Sequence, residues 1–147
     1  MIPVRKTRIL FVCIGNMCRS PMAEGFARTL GGDVLEIYSA GTNPTGFVSE
    51  DAIEIMRELK IDISAQRSGG LDAVPVADMD IVVSMAPLPA RRMVPRGFGG
   101  VAIDWKVQDP VGKSLTVFRR VRDDIHVRVT DLVDQVRRGE LANRRTP

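Results

Sequence analysis

The feature that most constrains this chain is the passage from residue 9 to residue 21, Ile-Leu-Phe-Val-Cys-Ile-Gly-Asn-Met-Cys-Arg-Ser-Pro. Its first four residues are apolar and two of them are β-branched, which predicts a strand buried on both faces, the kind found in parallel sheets. The run ends at Cys13. Gly15 and Asn16 tolerate the backbone angles of a tight loop. Ser20 is a helix-capping residue type, and Pro21 suits a first helical turn, where no amide donor is needed. Ala23, Phe26, Ala27 and Leu30 then recur at helical spacing, predicting a helix over about 21–30. The unit is strand, short loop, helix.

Such a unit is built to hold an anion against a thiol. Successive backbone N–H groups in a loop running into a helix N-terminus converge and favour negative charge. A cation at a helix start opposes the helix dipole, so Arg19 is out of place there unless an anion sits beside it. Its planar fork pairs two oxygens at once. The same positive surroundings favour the thiolate of Cys13, a nucleophile able to split one displacement into two through a covalent intermediate.

The rest of the chain alternates in the same way. A strand is expected over 34–39, then a turn-rich loop over 39–46. A helix follows, capped by Ser49, with Glu50 and Asp51 in its first turn and the stripe Ala52, Ile55, Met56 and Leu59. Residues 61–77 are broken by Gly69, Gly70 and Pro75. Residues 80–84 and 101–104 read as strands, 87–92 as a short helix, and 105–114 as a loop carrying Asp109. Phe118, Val121, Ile125, Val129, Leu132 and Val136 step by three or four along a long last helix. Arg120, Asp124 and Arg128 form i,i+4 pairs on its polar side, and His126 is a half-exposed helix residue. Strands alternating with helices predict an α/β fold, a parallel sheet with helices on both faces. Ligands then bind beyond the carboxyl ends of the strands, where the loop after the first strand lies.

Length and charge remove other classes. The chain has 147 residues, one expected domain over 1–147. Its 21 basic and 18 acidic residues leave a net charge of +3, too small to imply nucleic acid. No apolar run is long enough for a membrane span, and residues 9–14 are too few for a signal sequence. Both cysteines lie in the one loop, the pattern of a reduced, cytoplasmic thiol pair rather than a disulfide staple. No His/Cys/carboxylate cluster suggests a metal, and no cofactor is expected.

The motif at 13–21 resembles the signature of the low-molecular-weight protein tyrosine phosphatases, a superfamily that includes thiol-dependent arsenate reductases. The resemblance extends to Ser39-Ala40-Gly41-Thr42, to 80–85 (Asp-Ile-Val-Val-Ser-Met) and to Asp109-Pro110. It implies a three-layer fold with four parallel strands in the order 2-1-3-4. It also implies Cys13 as nucleophile, Arg19 as phosphate clamp and Asp109 as general acid, with Asp104 the rival by sequence alone. Ile14, Gly15, Asn16, Met17, Cys18 and Arg19 would bind phosphate. Asn16, Ser20, Ser39 and Thr42 would support the loop, with Ser20 hydrogen-bonded to the thiolate, and Cys18 would form a reversible disulfide with Cys13.

The activity implied first is hydrolysis of phosphotyrosine in a protein or peptide through a cysteinyl-phosphate, with release of inorganic phosphate. Arsenate reduction with a small thiol such as mycothiol and phosphoarginine hydrolysis are the alternatives. The family often has aromatic residues after the Asp-Pro pair and a Trp wall after Ser-Ala-Gly-Thr. Here Val111 and Gly112 occupy the first place and Phe47 is the only aromatic near the second. The phosphoarginine branch typically has Thr at the position of Ile14. The middle of the chain and Asp104-Trp105 resemble the reductases, but their thioredoxin-coupled type needs two further cysteines after the third strand, and 85–100 has none. Ser20-Pro21 is the phosphatase form of the motif, since the reductases usually have Gln after the Ser.

Overall fold

A computed structural model describes residues 5–141. Four strands form one parallel sheet: β1 (Thr7–Cys13), β2 (Leu35–Gly41), β3 (Ile81–Ser84) and β4 (Val101–Asp104). Their order is β2-β1-β3-β4, so β1 is central and pairs with both β2 and β3. The apolar run predicted this placement: Ile9, Leu10, Phe11 and Val12 are fully buried. Burial contributes about 1.5–3 kcal/mol for each such side chain, so β1 is firmly anchored in the sheet.

Three α-helices connect and cover the strands: α1 (Arg19–Gly31), α2 (Glu50–Arg57) and α3 (Leu115–Arg137). All three contribute to one core with Ile9, Phe11, Ile81 and Val83. The opposite face, with Leu10, Val12 and Val82, is covered by shorter pieces, among them the 3-10 turns Leu71–Ala73, Val76–Asp78 and Ala90–Arg92. The two helical layers are therefore unequal. The short helix expected over 87–92 is the last of those turns, and 61–77, ambiguous in sequence, supplies the other two.

Ser49 caps α2 by accepting from the Ala52 N–H, and Ser114 caps α3 by accepting from the Val117 N–H. The expected α3 stripe is buried from Phe118 to Leu132, and His126 stacks flat on Phe26 of α1 at 4.5 Å. Arg128 pairs with Asp124 at 2.8 Å. Arg122, buried in α3, donates to the Ile55 carbonyl at 2.9 Å and to Glu58 at 2.7 Å, which ties α3 to the end of α2. Hydrogen bonds from Arg119 and Arg122 pull the Glu58 carboxyl down to about 2. Residues 1–4 and 142–147 lie outside the described residues, and Thr7 opens β1.

Parallel pairing brings the carboxyl ends of the strands to one edge. Cys13 ends β1, Ser84 ends β3 and Asp104 ends β4, and the loops that follow them meet there.

Candidate active site

The loop between β1 and α1 is held from outside by its carbonyls. Those of Cys13, Ile14, Gly15 and Met17 accept from the backbone N–H groups of Thr42, Asn43, Thr45 and Ser49 at 2.8–3.0 Å. Ser68 adds a hydroxyl bond to the Gly15 carbonyl at 3.0 Å. By contrast, no backbone N–H of residues 14–19 donates to another described residue. With the carbonyls turned outward and the amides free, the loop is an anion nest. Asn16 makes the turn possible with φ of 49°, a left-handed conformation that asparagine adopts more readily than most residues.

Cys13 lies at the floor of the nest. Its Sγ is 3.0 Å from the Ser20 hydroxyl. Ser20 is not the cap that the sequence suggested. The N-cap of α1 is Cys18, with no side-chain cap bond, and Ser20 is the second helical residue. Its hydroxyl instead faces the thiol and accepts from Asn16 Nδ2 at 2.8 Å. The same amide nitrogen donates to Ser39 at 3.1 Å, and Asn16 Oδ1 accepts from the Gly69 N–H at 2.9 Å. Of the two support residues on the β2 side, Ser39 acts through its hydroxyl and Thr42 through its backbone N–H.

Arg19 opens α1 and is 5% exposed. Its Nη1 donates to the carbonyls of Met85 at 2.6 Å and Val107 at 3.0 Å, which follow β3 and β4. Its Nη2 is 3.7 Å from Asp109 Oδ2. The guanidinium is thus anchored on one side and faces the nest with the other. Asp109 is 44% exposed at its side chain, and its Oδ1 accepts from the Val111 N–H at 3.1 Å, which orients the carboxylate. Asp104, the rival, caps the short turn that begins at Ala90 by accepting from its N–H at 2.8 Å.

Cys13, Arg19 and Asp109 line one cavity of about 210 Å³, with Thr45 and Val111 on its walls. None of its lining side chains is aromatic. A second, larger cleft of about 630 Å³ shares Ile14, Arg19 and Asp109 with it and runs between the loops after β3 and β4, past Ala86, Pro87, Trp105 and Lys106. Cys18 also lines the smaller cavity, but burial pushes its thiol up to about 12 despite a hydrogen bond with Ser49. That shift favours the protonated thiol of Cys18. Both cysteines are free, and among the described residues no group of His, Cys, Asp or Glu is placed to hold a metal. No helix of the described residues is long and apolar enough to cross a membrane.

Several site residues were not singled out from the sequence. Gly41 packs so tightly on the loop that a Cβ there would lie 2.5 Å from the Ile14 carbonyl and 2.8 Å from the Asn16 nitrogen. Gly69 and Ser68 come from the ambiguous 61–77 stretch, where the glycines signalled a turn but not its target. Glu24, on α1, accepts from the Ser39 hydroxyl at 2.6 Å. The carbonyls of Met85 and Val107 have no sequence signal at all.

The chain is 38% identical over 133 residues to the glutaredoxin arsenate reductase of Synechocystis sp., covering 88% of this chain and 98% of that one. The solved structure of an arsenate reductase in the phosphate-binding state superposes with a TM-score of 0.78 at 36% identity, over 88% of this chain and 98% of that one. The low molecular weight protein tyrosine phosphatase of T. tengcongensis superposes with a TM-score of 0.75 at 28% identity, over 88% and 99% of the two chains. The family model for low molecular weight phosphotyrosine protein phosphatases matches residues 8–142. With that match spanning nearly all of its length, the chain belongs to the low molecular weight phosphotyrosine protein phosphatase family, in which its similar relatives include arsenate reductases.

Proposed function

We propose that the chain reduces arsenate to arsenite with an external small thiol. The observation that carries this reading is the site itself: a thiol beneath a nest of free amides and one anchored guanidinium, in a cavity of about 210 Å³ without aromatic walls. That space suits a bare tetrahedral oxyanion better than an aryl phosphate. The similarity to arsenate reductases over 88% of the chain supports it. The phosphotyrosine activity expected first from the motif becomes the second reading, because the motif is shared by both enzyme types and the ring-binding walls are the part that departs.

In the proposed reaction the Cys13 thiolate attacks arsenic. A protonated oxygen leaves as water with a proton from Asp109, giving a sulfur–arsenic(V) adduct. An external thiolate then attacks the Cys13 sulfur. The S–As bond breaks, its electron pair stays on arsenic, and arsenite departs. Cys13 is left in a mixed disulfide, and a second thiol frees it. Two thiols are oxidised to one disulfide while arsenic gains two electrons. Arg19 and the loop amides would hold the oxygens throughout.

The reductant would come from outside, because the chain has two cysteines in all, and a disulfide between them would itself need an external thiol to be reopened. The larger cleft shares Ile14, Arg19 and Asp109 with the cavity that Cys13 lines, and its volume of about 630 Å³ would take a small thiol beside that cavity.

The second reading, aryl phosphate hydrolysis, is favoured by Ser20-Pro21 and by Asp109 standing beside Arg19. Cys13 would attack phosphorus, Asp109 would protonate the leaving oxygen, and then deprotonate the attacking water. One purified sample decides. Arsenite release that requires both glutathione or mycothiol and Cys13 supports the first reading. Hydrolysis of p-nitrophenyl phosphate with no arsenite release under any small thiol selects the second.

A further inference from the structure

We propose that the larger cleft is the docking site of the external thiol, and that Lys106 and Asp104 make it selective for a zwitterionic peptide thiol of the glutathione class. The proposal rests on the arsenate reading and adds to it which thiol the chain accepts and by which residues.

The cleft runs between the loops that follow β3 and β4 and meets the cavity of Cys13 at Ile14, Arg19 and Asp109, which line both. Its volume of about 630 Å³ falls among clefts that hold small ligands, about 300–1,000 Å³. The cavity of about 210 Å³ takes the oxyanion, so the body of a thiol needs space of its own. Cys13 is 2% exposed, which favours a slim thiol over a broad protein surface.

The chemistry of the cleft is mixed. Pro87, Pro89 and Trp105 give it apolar walls. Lys106 and Gln108 also line it, and their side chains have no hydrogen-bond or ion-pair partner among the described residues. The backbone that carries Lys106 is nevertheless pinned. The Lys106 carbonyl accepts from Arg128 at 3.1 Å and the Val107 carbonyl from Arg19 at 3.0 Å. On the other side the Trp105 N–H donates to the Ser84 carbonyl at 2.8 Å. The ammonium is thus held at the cleft and left to pair.

The two carboxylates of the lining are not equal. Asp109 already faces Arg19 at 3.7 Å. Asp104 uses Oδ1 to accept from the Ala90 N–H at 2.8 Å, and its second oxygen has no partner among the described residues. One free ammonium and one half-used carboxylate match a ligand that bears both charges. Glutathione carries carboxylates and an ammonium together, so a carboxylate meets Lys106 while the ammonium meets Asp104, which leaves the sulfur for the edge shared with Cys13. A neutral sugar thiol uses neither charge. Specificity is a difference between ligands, so exposed charges of modest strength suffice to rank thiols.

The chain has one tryptophan, so Trp105 fluorescence reports on the cleft wall without turnover. S-methylglutathione, whose sulfur cannot exchange, is expected to change that fluorescence in a saturable way. Lys106→Glu is expected to weaken its binding about fivefold or more. In arsenite release, the ratio of kcat/KM with glutathione to that with 2-mercaptoethanol is expected to fall by a similar factor in Lys106→Glu. A smaller fall is expected in Asp104→Asn, which keeps an oxygen for the Ala90 N–H. Arg120→Glu makes the same charge change at an exposed position outside the cleft lining and is expected to leave the ratio as it is. No fluorescence change up to millimolar S-methylglutathione, or equal binding by Lys106→Glu, overturns the proposal. So does a ratio that Lys106→Glu leaves unaltered, or that Arg120→Glu lowers as far, and in those cases the arsenate reading stands. No arsenite release by the unaltered chain with any thiol overturns that reading, and the role of the cleft in the reaction with it.

Discussion

The floor and the rim of the cavity are built in different ways. On the floor, Cys13, Asn16, Ser20 and Ser39 are joined by hydrogen bonds of 2.8–3.1 Å, and Arg19 is anchored on two carbonyls. The rim is loose by comparison. Val111 is 49% exposed and Phe47 is 59% exposed, and Thr45 spends its hydroxyl on the Phe47 carbonyl at 3.0 Å. On the proposed reading the floor would take any tetrahedral oxyanion, and the rim would select which one enters. That is why a phosphatase and an arsenate reductase can both resemble this chain.

The largest expected effect lies on the floor. Cys13→Ser should lower arsenite release and aryl phosphate hydrolysis alike, on the order of 10³-fold or more. If either activity survives, that activity does not use the floor. Asp109→Asn comes next, at about 10²–10⁴-fold for hydrolysis of phenyl phosphate, whose leaving oxygen needs a proton. The loss should be smaller with a substrate whose leaving group needs no proton, and equal losses with good and poor leaving groups would take Asp109 out of the acid role.

Gly41→Ala tests whether the floor depends on close backbone contact. The added Cβ would meet the Ile14 carbonyl at 2.5 Å, so the loop must shift. About 1–3 kcal/mol of stability should be lost, read by urea denaturation, together with weaker inhibition by inorganic phosphate. At the rim, Val111→Tyr should lower KM for aryl phosphates several-fold while Cys13 alkylation stays unchanged, since the added ring gains about 0.5–1.5 kcal/mol only when it stacks on another. A change in alkylation would mean that floor and rim are coupled. The smallest effect is expected at Cys18. Its thiol ionises only near 12, so at pH 8 iodoacetamide should label Cys13 and spare Cys18, and Cys18→Ser should retain activity with a small thiol as reductant.

The same division describes what could be read from the residues. The strand–loop–helix unit, the Cys13–Arg19 pair and the α3 stripe depend on neighbours within a few residues, and spacing reveals them. Ser20 has two expected tasks, a helix cap from local pattern and a thiol contact from the family resemblance; the cap position falls to Cys18, and the contact is there at 3.0 Å. Glu24 looked like any polar helix residue until β2 brought Ser39 against it. Residues 61–77 carry no strong periodicity, because they are shaped by docking on the loop through Gly69 and Ser68 rather than by an apolar stripe.

Apolar patterning and the Cys-x5-Arg spacing by themselves determined a parallel α/β sheet and an oxyanion loop at its edge, because buried strands and helix starts follow from local chemistry. Tertiary structure alone decided where the Arg19 guanidinium is anchored, which carboxylate stands beside it, which way the Asn16 amide faces and how little aromatic wall surrounds the thiol. Each of these depends on segments 20 to 90 residues apart in the chain, such as Arg19 and Val107 or Asn16 and Gly69. Only the strand order of the sheet brings such segments within hydrogen-bond range.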